Sequence, residues 1–161
     1  MNREPNLSWA ALKRASYHIR RMEVADAKKV AVLEAENFSE PWREQDFEKA
    51  AFDMETLYLV AEQAGKIVGC CGVRNLSGDG EITNVSVKHS FRRQGIAEQL
   101  MKRLLSEGAA MGITAFTLEV RSGNLAAICL YEKLGFVTEG VRKNFYRNPS
   151  EDALIMWRRL R

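Results

Sequence analysis

Histidine and cysteine are scarce in this chain, and their scarcity removes several kinds of chemistry. The two histidines, His18 and His89, stand alone, which supports neither a metal site nor a histidine-driven nucleophile relay. The three cysteines, Cys70, Cys71 and Cys129, form no CxxC and no Cys/His metal spacing. An odd count without a framework points to a reducing compartment and small buried thiols, with adjacent Cys70 and Cys71 facing opposite sides if they lie in a strand. No apolar run is long enough to span a bilayer, and the polar start "MNREPNLSWAALKRAS" lacks the apolar core of a signal peptide. Neither sign of charge dominates: a net +3 is far from the heavy basic excess of a nucleic-acid binder. The expectation is a cytoplasmic protein with no metal, no nucleic-acid partner and no membrane attachment, acting as a monomer or weak oligomer.

What is present fits one globular unit. The chain has 161 residues, of which 46% are apolar and 28% charged, enough for a single real core. Residues 1–16 read as an N-terminal extension and 17–161 as one domain, because the first alternating segment begins at "YHIRRM". "VADAKKVAVLEAENF" carries Val30, Leu33, Ala35 and Phe38 at helical spacing, and Pro41 suits the first position of a second helix through "REQDFEKAAF". "TLYLVAEQ", "KIVGCCGVRNL" and "EITNVSV" are separated by the turn signals "AGK" and "SGDG", an antiparallel meander. A helix over about 94–111 carries Ile96, Leu100, Leu104 and Leu105 on one face and ends at Gly112. "TAFTLEV" is a strand, "NLAAICLYEKL" a helix from Asn124 to Gly135, and "FVTEGV" and "DALIMWRRL" close the chain as strands. The order β-α-α-β-β-β-α-β-α-β-β predicts an α/β (α+β) fold. Its mixed, mostly antiparallel sheet of about seven strands would be flanked by about four helices.

One helix start lacks what helix starts usually have. In "FRRQGIAEQLMKRLLSE" no Ser, Thr, Asp or Asn stands next to Gly95 to cap the run that follows. Such a terminus presents unpaired N–H groups and the positive end of the macrodipole. Glycine permits close approach, and Arg92 and Arg93 add positive charge, so the turn suits an anion such as a pyrophosphate. Taken alone it reads first as a solvated start with incidental basic residues, since short Gly/Arg patterns are common.

The segment "RRQGIA" at 92–97 resembles the R/Q-x-x-G-x-G/A loop of the GNAT superfamily of acetyl-CoA-dependent N-acetyltransferases, with Ala97 in place of the second glycine often found there. It stands between "EITNVSV" and a long helix, as in that family. "LEVRSGNLAAICLYEKLGF" and "RKNFYRNPSEDALIM" are similar to the bacterial ribosomal-protein-alanine N-acetyltransferases and to related catalytic subunits of protein N-terminal acetyltransferases. "AENFSEPW" resembles their first helix–helix loop. The likeness covers roughly residues 17–160.

Acetyl transfer from a thioester to an amine needs a base, since an α-amine with a pKa of about 8 is mostly protonated near neutrality. It needs donors for the developing oxyanion and an acid for the departing thiolate. Holding the substrates together supplies roughly 7–11 kcal/mol more. In "TAFTLEV", Phe116, Leu118 and Val120 share one face and Ala115, Thr117 and Glu119 the other. Glu119 reads either as a rim carboxylate or as a used one, and the resemblance implies the proton acceptor. Tyr131 shares a helical stripe with Ala127, Ile128 and Leu134, so it packs in the core; the resemblance also makes it the acid. Asn124 is an N-cap that, by resemblance, contacts the cofactor.

The resemblance further implies that acetyl-CoA is held by Val85, Ser86 and Val87, through backbone groups, and by the loop Arg92, Arg93, Gln94, Gly95, Ile96, Ala97 and Glu98. Glu40, Pro41 and Trp42, with Phe145 and Tyr146, would flank the acceptor, and Glu81 would receive its ammonium. Against these stand ordinary roles, Trp42 as a staple between helices and Glu81 in a solvated turn. The implied activity is acetylation of a protein N-terminal α-amine, that of a small-subunit ribosomal protein beginning with alanine. A small-molecule amine acetyltransferase shares every motif but the acceptor groove, and a non-catalytic acetyl-CoA-binding module would not need both Glu119 and Tyr131.

Overall fold

The structure, a computed structural model, describes residues 17–160. The expected extension over residues 1–16 lies outside the described residues. Strand β1 (Tyr17–Arg21) leads through a short 3-10 turn into α1 (Ala27–Asn37), followed by α2 (Glu44–Phe52). Strands β2 (Thr56–Gln63), β3 (Lys66–Leu76) and β4 (Asp79–Val87) form the expected meander. Then come α3 (Ile96–Ala110), β5 (Ala115–Arg121), α4 (Leu125–Lys133), β6 (Val137–Tyr146) and β7 (Glu151–Arg159). The seven strands form one sheet in the order β1-β2-β3-β4-β5-β7-β6, and only β4 and β5 run parallel. The element order matches the sequence reading throughout.

The two faces of the sheet carry separate helical layers. On one face α3 and α4 pack Ile96, Leu100, Met101, Leu104, Ile128 and Tyr131 against Leu59, Cys71, Phe116 and Leu118. On the other, α1 and α2 pack Val30, Leu33 and Phe47 against Tyr58, Val60 and Cys70. Period-two alternation therefore sends Cys70 and Cys71 into different layers, as expected for a strand pair. Each fully buried Phe or Leu contributes roughly 1.5–3 kcal/mol by removal from water. Arg20 adds a bidentate grip on the buried carboxylate of Asp26 (2.7 and 2.9 Å) that ties β1 to the start of α1.

Three local expectations are corrected. The buried stripe of α1 is Val30, Leu33 and Glu34, with Asn37 half-buried at its end, while Ala35 and Phe38 face water. A period of 3.6 residues carries Val30 to 33/34 and then 37, so a carboxylate and an amide occupy the core side. Helix α2 begins at Glu44 rather than at Pro41, because the Arg43 N–H donates to the Asp46 carboxylate (2.9 Å) and caps the helix there. Strand β6 runs on through Tyr146 instead of stopping near Val141, held in register by β7 across an irregularity between Arg142 and Tyr146. The strand is mostly exposed, so its segment 142–146 lacks the apolar alternation that marks a half-buried strand.

Candidate active site

The sheet parts between β4 and β5. Their parallel ladder joins Asp79, Gly80 and Glu81 to Ala115, Phe116 and Thr117 and goes no further. Beyond it β4 still pairs with β3, and the Lys88 N–H bonds to the Val68 carbonyl (2.8 Å). Alternation along an antiparallel ladder then turns the backbone groups of Ser86 toward β3 and those of Val85 and Val87 away from it, into the gap. An extended ligand laid in this gap meets the outward N–H and C=O of Val85 and the N–H of Val87, whose carbonyl already accepts from Arg92 and Asn37.

At the end of β4 lies the loop that precedes α3. Arg93 (φ 61°) and Gly95 (φ 79°) both take left-handed backbone, and Gly95 is the N-cap with no side chain bonded to the helix start. The first N–H groups of α3, from Gly95 through Ile96, Ala97 and Glu98, thus have no intrahelical acceptor. A Cβ built on Gly95 meets nothing within 4 Å, so the space over the helix start is open. Gln94 is half-buried, and Arg93 is exposed beside it. Arg92 is engaged elsewhere: its guanidinium donates to Asn37 Oδ1 and, at 3.4 Å, to the Val87 carbonyl. The Glu98 carboxylate is likewise taken, by Lys133 (3.0 Å) and Lys102 (3.1 Å), and Lys133 above all holds it below the usual carboxylate range.

Glu119 and Tyr131 approach the gap from opposite faces of the sheet. Register places Glu119 on the α1–α2 side, two residues beyond Thr117, which pairs with Glu81. Its carboxylate is partly exposed and lies 3.5 Å from Arg142 Nε of β6. Tyr131 is buried on the other side, with its ring 6.0 Å from Phe136. Burial pushes its phenol well above the ordinary tyrosine range, and Tyr146 and Cys71 push the same way. Tyr146, at the end of β6, is pushed up to about 12, first by burial and then by the nearby Glu119 carboxylate. Asn124 caps α4, its Oδ1 accepting from the Ala127 N–H (3.3 Å), and so orients the helix that carries Tyr131.

The acceptor-side candidates divide. Trp42 packs on Phe47 (5.4 Å) and Tyr58 (6.0 Å), the staple role weighed from the sequence, while Pro41 is half-buried and Glu40 exposed beside it. Glu81 lies within β4 at the last rung before the gap, not in a turn. Phe145 stands edge-on to Tyr146 at 5.0 Å.

Sequence reasoning missed a buried polar chain behind β4. Asn84 donates to Glu34 Oε1 (2.7 Å), and the Tyr58 hydroxyl bonds to Asn84 Oδ1 and, at 3.0 Å, to Thr83. Gly72 leaves room for this arrangement, since a Cβ there would stand 2.2 Å from the Tyr58 ring. Burial pushes the Glu34 carboxyl up to about 7, although the Asn84 amide and the Trp42 N–H oppose the shift. Beside it Asn37 donates to Ser86 Oγ (2.7 Å) and accepts from Arg92, so α1 braces both β4 and the loop before α3. The signal was Glu34 and Asn37 at i+4 and i+7 from Val30. Among the described residues, no three His, Cys, Asp or Glu side chains gather as metal ligands, and no helix is long and apolar enough to cross a membrane.

Residues 23–136 match the model of the acetyltransferase (GNAT) family. A putative ribosomal protein bS18-alanine N-acetyltransferase of Bacillus subtilis is 35% identical over 140 residues, covering 86% of this chain and 93% of the relative. The ribosomal protein bS18-alanine N-acetyltransferase of Escherichia coli K12 is 32% identical over 142 residues, covering 86% and 94%. The crystal structure of the ribosomal-protein-S18-alanine N-acetyltransferase from Escherichia coli superposes with a TM-score of 0.82 at 29% identity, covering 89% of this chain and 94% of that one. The parted strands, the bare start of α3 and these likenesses lead to one conclusion: the chain belongs to the GNAT family of acetyltransferases.

Proposed function

We propose that the protein transfers an acetyl group from acetyl-CoA directly to the N-terminal α-amine of a protein, a small-subunit ribosomal protein beginning with alanine. The observation that carries this reading is the parting of β4 from β5 beyond Glu81 and Thr117, beside the open, uncapped start of α3. The names of the Bacillus and Escherichia relatives support the acceptor class.

The residues present fit acetyl-CoA. The open, uncapped start of α3 at Gly95 suits its pyrophosphate, and the outward backbone of Val85 and Val87 suits its amide-bearing arm. Ser86 holds the strand through Asn37, and Arg92 holds the loop, leaving the exposed Arg93 guanidinium nearest the anion. When bound, acetyl-CoA supplies the activated acetyl carbon and a thiolate leaving group. Glu119 takes a proton from the acceptor ammonium, so that the neutral amine forms the new C–N bond as the C–S bond breaks. The acylated nitrogen sheds its second proton to solvent, Tyr131 gives its hydroxyl proton to the departing sulfur and is reprotonated from solvent, and Glu119 releases its own proton. Burial keeps Tyr131 protonated at neutral pH, as an acid must be before it acts. On this reading Glu40, Pro41, Phe145 and Tyr146 flank the acceptor, and Glu81, at the last rung of the β4–β5 ladder, receives its ammonium.

The test is an acetyl-transfer assay on a panel of N-terminal peptides, lysine-containing blocked peptides and free amines, read by CoA release and by mass. Acetylation confined to α-amines, best on an alanine-first peptide, is expected. Faster turnover of a small free amine overturns the acceptor class, and binding of acetyl-CoA without transfer to any amine overturns the enzyme mechanism.

A further inference from the structure

The last residue of β5 joins the two loops that border the acceptor side. Arg121 shares a sheet face with Glu119, two residues away, and its side chain is about three-quarters covered. Its Nη1 donates to the Pro149 carbonyl (3.0 Å) and to Glu151 Oε1 (3.3 Å). Its Nη2 donates to the Arg147 carbonyl (3.1 Å) and to Ser39 Oγ (3.4 Å). The flat face of the guanidinium lies over the Tyr146 ring, 4.5 Å from its centroid. One side chain thus holds the β6–β7 turn by two carbonyls, the start of β7 by Glu151, the α1–α2 loop by Ser39, and Tyr146 by stacking.

The two loops also touch each other at the same point, where the Ser39 hydroxyl donates to the Arg147 carbonyl (3.1 Å). Glu151 carries the connection onward, accepting from the Gly123 N–H (2.7 Å) in the turn that leads to Asn124 and α4. Neither loop has a regular ladder to the other, so their separation rests on this cluster. A lysine cannot replace the arginine here, because only a planar fork presents parallel N–H pairs and a stacking face together.

We propose that Arg121 is a positioning residue for the acceptor. It sets the width of the groove between the α1–α2 loop and the β6–β7 turn and fixes the Tyr146 ring beside Glu119. The inference rests on the reading of this face as the acceptor side of an N-terminal acetyltransferase. It concerns acceptor geometry alone, since the acetyl-CoA side is built from β4 and the loop before α3.

The experiment compares the full chain with Arg121→Ala, Arg121→Lys and Ser39→Ala. It measures KM and kcat for an alanine-first peptide, acetyl-CoA affinity by calorimetry, and hydrogen exchange over residues 38–43 and 147–150. Arg121→Ala is expected to raise the peptide KM and lower kcat, each by about tenfold, because small displacements of a bound reactant are costly. Acetyl-CoA affinity should stay within about twofold, and exchange should rise in both loops, including the α1–α2 loop remote in sequence. Arg121→Lys should fail to rescue the peptide kinetics, and Ser39→Ala should loosen residues 38–43 with a smaller rise in KM. Unchanged loop exchange, lysine rescue, or an equal loss of acetyl-CoA affinity overturns the clamp. If Arg121→Ala does not fold, the lysine and Ser39→Ala variants decide by the same readouts. Absence of peptide turnover in the unaltered protein tells against the acceptor reading instead, while loop exchange still decides whether Arg121 joins the loops.

Discussion

The Nε of Arg142 on β6 lies 3.5 Å from Oε1 of Glu119 on β5, reaching it over the intervening strand β7. The candidate base already faces a cation that an incoming ammonium would have to displace. Glu119→Gln should lower kcat by about 100-fold or more while leaving acetyl-CoA affinity intact. Arg142→Gln should change unfolding free energy by less than about 1 kcal/mol, since the pair is partly exposed. It should also lower the acceptor KM at low salt, and that advantage should fade as salt screens the pair. Denaturation and turnover at two ionic strengths test both.

Tyr131 separates packing from chemistry in one atom. Tyr131→Phe keeps the ring against Phe136 and removes only the hydroxyl, so melting should barely move while kcat drops by roughly 10²-fold. Because burial holds the phenol protonated beyond the ordinary tyrosine range near pH 10, this group should impose no alkaline loss of rate below about that pH. A rate that falls with an apparent pKa near 8 in the wild type and equally in Tyr131→Phe belongs to another group.

Gly95 carries two demands that different side chains separate. Its φ of 79° favours glycine, and the empty space above it is where a side chain would meet the ligand. Gly95→Val should cost about 1–2 kcal/mol of stability from the backbone and also raise the acetyl-CoA KM at least about tenfold. Gly95→Asn tolerates the backbone, so it should recover stability without recovering affinity. Arg93→Ala should raise that KM only mildly. Equal indifference of both variants would leave the loop an ordinary helix start.

Glu34 makes stability depend on pH. Its carboxyl sits near 7 in the fold against an ordinary value of 4.5, so between these the folded protein binds a proton that the unfolded chain has lost. That contribution is present in full below about pH 4.5 and is lost as pH rises through 7, on the order of 3 kcal/mol. Glu34→Gln should flatten this part of the stability curve. Urea denaturation at pH 5 and pH 8 gives the slope, and a difference between the two proteins that does not change with pH contradicts the assignment.

The sequence carried the architecture because the strongest signals were local. Alternation in "TLYLVAEQ" and "TAFTLEV", the 3.6 period of α3, and glycine turns such as "SGDG" each depend on neighbours in the chain. Resemblance then assembled Glu119 and Tyr131 into one site. What stayed illegible depends on residues brought together from afar. Arg121 meets Ser39 from 82 positions away, and Glu34 meets Asn84 from 50. No periodicity encodes such meetings. Strand β6 was cut short for a related reason: its second half is exposed on the sheet edge, where pairing with β7 rather than a buried face keeps it extended.

The neighbouring thiols of β3 offer an internal pair of reporters. Cys70 is sealed beneath α1 and α2, Cys71 beneath α3 and α4, and Cys129 is exposed on α4. Native protein should therefore give up one sulfur of its three to a thiol reagent at once. With Cys129 replaced, alkylation of Cys70 times the lifting of one helical layer and alkylation of Cys71 the lifting of the other. Two neighbouring residues would thus say which side of the sheet comes apart first.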